Sequence, residues 1–216
     1  MSAPRFASVV LDVDSTVCGI EGIDWLARRR GEAVAREIVA LTSDAMSGAI
    51  PLEQVYGRRL SLIRPTRSDV DALAQAYLSA IAPDSPATIA RMGKAGLRVA
   101  LVSGGIRQAL QPLARRLGIG DADLHAVDLA FDDSGDYAGF DESSPLTTSD
   151  GKRIVVANMN LPRPILAVGD GNTDIAMRGA ADTFAAYIGF TARESVMRAA
   201  DMAVVSFRDL ARLVLG

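Results

Sequence analysis

Ser8-Val9-Val10-Leu11-Asp12-Val13-Asp14-Ser15-Thr16-Val17 is the stretch that decides how the rest of the chain is read. Val9, Val10 and Leu11 are apolar, two of them β-branched, and predict the end of a strand buried in a parallel sheet. Asp12 and Asp14 follow two residues apart, which places both carboxylates on one side of an extended backbone. Their position just past a buried strand is the carboxyl edge of a sheet, where open α/β folds bind ligands. Two neighbouring carboxylates repel unless a cation or a shared proton relieves them. Beside Ser15 and Thr16 the same pair also reads as a turn that caps the next helix.

Outward from this stretch, the chain changes character twice. Helical periodicity covers Gly22–Arg30 and about 32–46, 51–63 and 68–81, broken by Gly48, Pro51, Pro65 and Pro83. No strand pattern lies between about 16 and 82, which predicts an all-helical insert directly after the acidic motif. From Pro86 onward helix and strand alternate. A helix through Met92 leads to a strand at Arg98–Val102, then Ser103-Gly104-Gly105 and a helix to about Leu117. Leu124–Phe140 reads as a hairpin turning at Asp133-Ser134-Gly135. A helix from about Lys152 to Asn158 precedes a strand at Ile165–Val168, and further βα units run through Phe184–Ile188 and Met202–Val205. The expected fold is α/β: a Rossmann-like, mostly parallel sheet with helices on both faces, plus the helical insert.

Composition narrows the function. The 216 residues are nearly half apolar, enough for a sizeable core. The net charge of −3, with scattered cations, excludes a basic face for nucleic acid, and no apolar segment is long enough for a bilayer. Cys18 is the only cysteine, so no internal disulfide forms, in keeping with a cytoplasmic protein. The N-terminus has no basic region followed by a long apolar run, so no leader is expected.

Three predicted strands end in polar turns: Asp12-Val13-Asp14, Ser103-Gly104-Gly105 and Gly169-Asp170-Gly171-Asn172-Thr173-Asp174. In a parallel sheet these ends share one edge. Asp12, Asp170 and Asp174 then offer hard oxygen donors suited to Mg²⁺. Ser103 and the Gly104 N–H suit an anion at a helix start, and Lys152, one of only two lysines, brings a point charge. Singly, Ser103 also reads as a helix cap, and Lys152 as a surface lysine. Gly169-Asp170-Gly171 opens like a dinucleotide fingerprint, but Asp174 stands where its third glycine belongs. Tyr137 breaks the calcium-loop pattern of Asp132–Asp136 where glycine is needed, and His125, the only histidine, forms no cluster alone.

In their order, these motifs resemble the four motifs of haloacid-dehalogenase-superfamily phosphatases. Glu21-Gly22-Ile23-Asp24, Ala45-Met46, Arg59-Leu60, Tyr137-Ala138-Gly139-Phe140-Asp141 and Ile188-Gly189-Phe190 extend the likeness to the phosphoserine phosphatase family, over nearly the whole chain. Ser47 departs from it, standing where that family commonly has glycine, and no regulatory N-terminal domain like that of some bacterial members is expected. The resemblance implies a core of residues 1–15 and 81–216 and a mobile helical cap of residues 16–80. It implies Asp12 as nucleophile and Asp14 as acid and base. Mg²⁺ would be held by Asp12, the Asp14 carbonyl and Asp170, with Asp174 in support, and phosphate by Ser103, Gly104 and Lys152. Glu21 would meet the substrate ammonium, Arg59 its carboxylate and Met46 its stem, with Thr173 also at the substrate. The implied reaction is hydrolysis of O-phospho-L-serine, the last step of serine biosynthesis, by a monomer or homodimer. Two alternatives stay open: the same chemistry on another small phosphomonoester or acceptor alcohol, and a receiver-type signalling module with its own carboxylates, hydroxyl and lysine around Mg²⁺.

Overall fold

In β1 (Ser8–Leu11) all four residues are buried, and the strand lies in the middle of a six-stranded sheet. The computed structural model describes residues 5–47 and 49–216, the side chains of Met46 and Ser47 excepted. The chain leaves β1 for four helices: α1 (Gly22–Arg28), α2 (Glu32–Ser47), α3 (Leu52–Ile63) and α4 (Arg67–Ser79). It returns through α5 (Ser85–Lys94) to β2 (Arg98–Ile106), α6 (Arg107–Arg116) and β3 (Leu124–Val127). A separate hairpin of β4 (Leu129–Phe131) and β5 (Tyr137–Phe140) follows, then α7 (Gly151–Asn158) and β6 (Ile165–Gly169). The last elements are α8 (Asn172–Ile175), β7 (Thr183–Tyr187), α9 (Glu194–Ala199), β8 (Met202–Val204) and α10 (Phe207–Leu215).

The main sheet runs β3-β2-β1-β6-β7-β8, and every neighbouring pair is parallel. Connections leave β1 toward one side and β6 toward the other, so their adjacent carboxyl ends form the crevice where the strand order reverses. Val9, Val10 and Leu11 are wholly buried. Each such side chain contributes about 1.5–3 kcal/mol, which gives the crevice a firm base on which charges can be crowded.

Two expectations need correction. Leu124–Val127 does not begin a hairpin; it is a parallel edge strand on β2, in register Leu101 to Leu124. Only Leu129–Phe140 forms the hairpin, which turns where the Asp132 carboxylate accepts the Ser134 and Asp136 N–H groups. Nor does the strand before Ser103 stop at Val102: β2 continues to Ile106, and α6 starts only at Arg107.

Helices α1 to α4 of the insert pack around Ile38, Tyr56, Leu60, Leu73 and Tyr77, all nearly inaccessible. Thr66 and Asp69 close a capping box at the start of α4. The segments entering and leaving the insert run side by side: the Gly19 N–H donates to the Ala80 carbonyl at 2.9 Å, and the Ala82 N–H to the Val17 carbonyl at 2.8 Å. The insert also touches the sheet edge. The Tyr56 hydroxyl donates to the Gly104 carbonyl at 2.9 Å, and Ser149 donates to the Glu53 carboxylate from both its N–H and its hydroxyl.

Candidate active site

Sheet register brings the three polar turns together. Leu11 stands level with Leu101 on one side and Val168 on the other. Asp12, Ser103 and Asp170 therefore lie one or two residues beyond a common line. The Asp12 N–H donates to the Val168 carbonyl at 2.9 Å, which continues the ladder into the crevice. Asp12, Asp14, Glu21, Arg59, Ser103, Gly104, Lys152, Asp170 and Thr173 all line one cavity there. Asp174 is buried behind it. The side chain of Met46 lies outside the described residues.

Lys152 is the pivot of the charges. Its Nζ is 2.6 Å from Asp12 Oδ1 and 2.6 Å from Asp174 Oδ1. Burial alone would lower the lysine's pKa, but Asp12 and Asp174 outweigh it and hold the ammonium above its usual value. Lys152 is thus a buried, fully charged group and not a surface lysine. Asp174 is held in turn by the Asp170 and Gly171 N–H groups, at 3.0 and 2.8 Å from Oδ2. A Cβ at residue 169 would collide with the Asp174 carboxyl, so only glycine lets that side chain fold back beneath the turn.

Burial raises the pKa of Asp12 well above its ordinary value, and the negative charge of Asp174 adds to the effect against the pull of Lys152. Asp14 is raised by burial too, opposed by hydrogen bonds from the Tyr77 hydroxyl and the Gly22 N–H. Glu21 is pushed up to about 7 by burial and by the charge of Asp14, although the Ser15 hydroxyl donates to it at 2.6 Å. Ser15 holds a left-handed backbone (φ 50°), a strained turn that follows directly on Asp14.

Carboxylates outnumber cations here, and a divalent cation would relieve the excess. One carboxylate oxygen each of Asp12, Asp170 and Asp174 lie within 4.8 Å of one another. Three hard, anionic oxygen donors fit a divalent ion that keeps water or phosphate oxygens in its remaining positions.

On the insert side, Arg59 is 4% exposed. Its Nη1 donates to the Thr42 hydroxyl at 3.1 Å, which donates in turn to Asp24 at 2.6 Å, while the Tyr56 ring lies 5.6 Å away. Its Nε is buried with no hydrogen-bond partner among the described residues. A guanidinium with an unfilled donor at a cavity wall is ready for a planar anion. Across the site, Arg193 pairs with Asp170 and stands 4.0 Å from Glu21.

The capping reading holds in part, since Asp14 accepts the N–H of Gly22, the first residue of α1, at 3.2 Å, whereas Ser103 caps no helix but accepts the Gly105 N–H at 2.9 Å. Gly104 lies inside β2, so its N–H is not at a helix N-terminus as expected. His125 does not line the cavity. Tyr56, Tyr77, Thr42, Asp24 and Arg193 were not anticipated from the sequence as working groups. The signal present for Thr42 was a polar residue on the apolar stripe of Ile38, Leu41 and Ala45.

An acidic crevice at a parallel sheet's edge, with the helical insert hung between its first two strands, defines a haloacid dehalogenase-like hydrolase; the model of that family matches residues 9–178. The chloroplastic phosphoserine phosphatase of Arabidopsis thaliana is 36% identical over 94% of this chain and 70% of its own length. Homo sapiens phosphoserine phosphatase is 34% identical over 94% and 91%. The chain belongs to the phosphoserine phosphatase family. A solved structure described as a phospho-aspartyl intermediate analogue of phosphoserine phosphatase superposes with a TM-score of 0.80 at 25% identity, covering 96% of this chain and 98% of the other.

Proposed function

We propose that this chain hydrolyses O-phospho-L-serine to L-serine and phosphate through an aspartyl-phosphate on Asp12, with Mg²⁺ as its metal. The observation that carries the substrate is Arg59, a buried guanidinium with an open Nε, set on the same cavity as Glu21 and Asp12. Arg59 takes the substrate carboxylate and Glu21 its ammonium, which leaves the phosphate directed at the sheet edge.

Asp12 attacks phosphorus in line with the serine oxygen. As the phosphorus–oxygen bond breaks, Asp14 gives its proton to that oxygen. The elevated pKa of Asp14 favours the protonated form this step requires. Asp14, now ionised, removes a proton from a water that attacks the phosphoryl group. The bond to Asp12 breaks, phosphate leaves, and both carboxyl groups return to their starting states. Ser103, the Gly104 N–H and Lys152 hold the phosphoryl oxygens. Mg²⁺, held by Asp12, the Asp14 carbonyl and Asp170 with Asp174 in support, would neutralise charge on the phosphoryl oxygens when bound. Thr173 lies beside them. Residues 16–80 act as a cap that excludes water during the first step, and residues 1–15 and 81–216 as the core. Every group invoked comes from one chain, so the reading holds for a monomer or a homodimer in the cytoplasm.

The test is phosphate release from L-phosphoserine against phosphothreonine, glycerol phosphate and an aryl phosphate, with and without Mg²⁺. Comparable specificity constants across that panel would refute the assignment of substrate.

A further inference from the structure

We propose that Tyr77 is a positioning residue for this reaction, its phenol fixing the Asp14 carboxylate for proton exchange with the leaving oxygen. The proposal rests on the role given to Asp14 above. Tyr77 lies near the end of α4, where the chain returns from the insert, and is wholly buried. Its hydroxyl donates to Asp14 Oδ1 at 2.6 Å, while Oδ2 accepts the Gly22 N–H at 3.2 Å. One oxygen is thus held from the first helix of the insert and the other from the last. Each carboxylate oxygen carries two lone-pair sites, so one contact on each leaves room for the proton Asp14 must carry.

The surroundings admit the phenol and little else. A Cβ at residue 22 would collide with the Tyr77 hydroxyl, and one at residue 105 would lie 3.4 Å from it. The hydroxyl therefore sits in a slot between the start of α1 and the glycines after Ser103. Its backbone is anchored as well: the Cys18 thiol donates to the Tyr77 carbonyl at 3.4 Å, beside the paired segments at Val17–Gly19 and Ala80–Ala82. A buried phenol needs a partner, but any backbone carbonyl would serve. This one spends its hydrogen bond on the carboxylate that has to be aimed at the leaving group, and links its aim to the neck of the insert.

Leaving groups separate positioning from packing. The serine oxygen departs poorly without a proton, whereas p-nitrophenolate needs none, and kcat/KM reports the steps up to that departure. Tyr77→Phe should lower kcat/KM for phosphoserine by about tenfold or more, a fraction of the roughly 10²–10⁴ that general acid catalysis supplies. For p-nitrophenyl phosphate the loss should stay below about threefold, with an unchanged melting temperature. A fluorotyrosine at residue 77 keeps the ring and hydroxyl in place while changing the phenol as a donor, so it should move kcat/KM for phosphoserine and leave p-nitrophenyl phosphate within about threefold; this variant decides the matter if Tyr77→Phe does not fold. Equal losses on both substrates, or no loss on either, overturn the proposal. A wild type inactive on both overturns the phosphatase reading itself, and this proposal with it.

Discussion

Arg59→Ala tests the substrate assignment at its physical root. The guanidinium is 4% exposed, bonded at Nη1 to Thr42 and open at Nε. A carboxylate seated there makes charge-assisted contacts that water competes for poorly, worth about 1.5–3 kcal/mol. At about 1.4 kcal/mol per tenfold, kcat/KM for phosphoserine should fall about 10- to 150-fold. An aryl phosphate has no carboxylate and should lose less than about threefold. Part of the loss should appear in kcat, since binding energy far from phosphorus helps to seat the insert and orient the ester. Arg59→Lys should recover only a fraction, because a point charge does not replace the planar fork. Thr42→Val removes the hydroxyl between Arg59 and Asp24 and should shift the same ratio in the same direction by a smaller amount. The assay is a pair of specificity constants for each variant, with thermal melts to check folding. Losses of equal size on both substrates would refute the reasoning, because Arg59 would then serve the chemistry or the fold and not the amino-acid end.

Asp12→Asn should abolish turnover while the protein stays folded, since the amide lifts like-charge repulsion with Asp174; acid-labile phosphate trapped on the wild type and absent from the variant is the check. Chelation should stop phosphate release, Mg²⁺ should restore it and raise the melting temperature by mass action, and Ca²⁺ should replace it poorly because it takes more ligands in looser geometry. Asp69 gives a pH test: burial would raise its pKa, but hydrogen bonds from Arg30, Thr66 and Arg29 prevail and hold it at about 2 against an ordinary 3.8. The folded protein then binds fewer protons than the unfolded chain, so a contribution of about 2 kcal/mol is complete above the ordinary value and drains as pH falls toward 2. Denaturant melts of wild type and Asp69→Asn should differ at pH 7 and converge near pH 2.

Much of the fold was legible because its signals are local. β1, the helical run after it and the later βα alternation each announce themselves in a window of a dozen residues. Leu124–Phe140 was misread for the same reason. Asp132–Asp136 is a true turn signal, and Leu124–Val127 looks like the first arm of the hairpin it would close. What claims that segment is a parallel ladder with β2, a partner more than 20 residues earlier, and no local pattern records it. Likewise Ser103-Gly104-Gly105 has turn composition, yet pairing with neighbours carries the strand on to Ile106.

The same distinction divides the site. Asp12 and Asp170 follow strand ends and Lys152 stands at a helix start, so position alone implied their convergence, whereas Ser103 joins them from inside β2. The groups from the insert lie on helix faces, where periodicity separates only core from solvent. Tyr77 follows Leu73 and Ala74 on one apolar stripe of α4 and reads as a core aromatic; nothing local shows that its hydroxyl ends on Asp14. Arg59 is the instructive exception. It belongs to the stripe Leu52, Val55, Tyr56, Leu60 and Ile63 of α3, all buried, and so was never on a solvated face. A permanently charged group on a buried stripe loses hydration worth several kcal/mol unless something returns it, and burial does lower its pKa here. The return from the protein comes from one hydroxyl, the side chain of Tyr56 and the fields of Asp24, Glu21 and Asp14, and burial still outweighs it. A cation kept this dry gains from an anion that enters the cavity, and on the proposed function that anion is the substrate carboxylate.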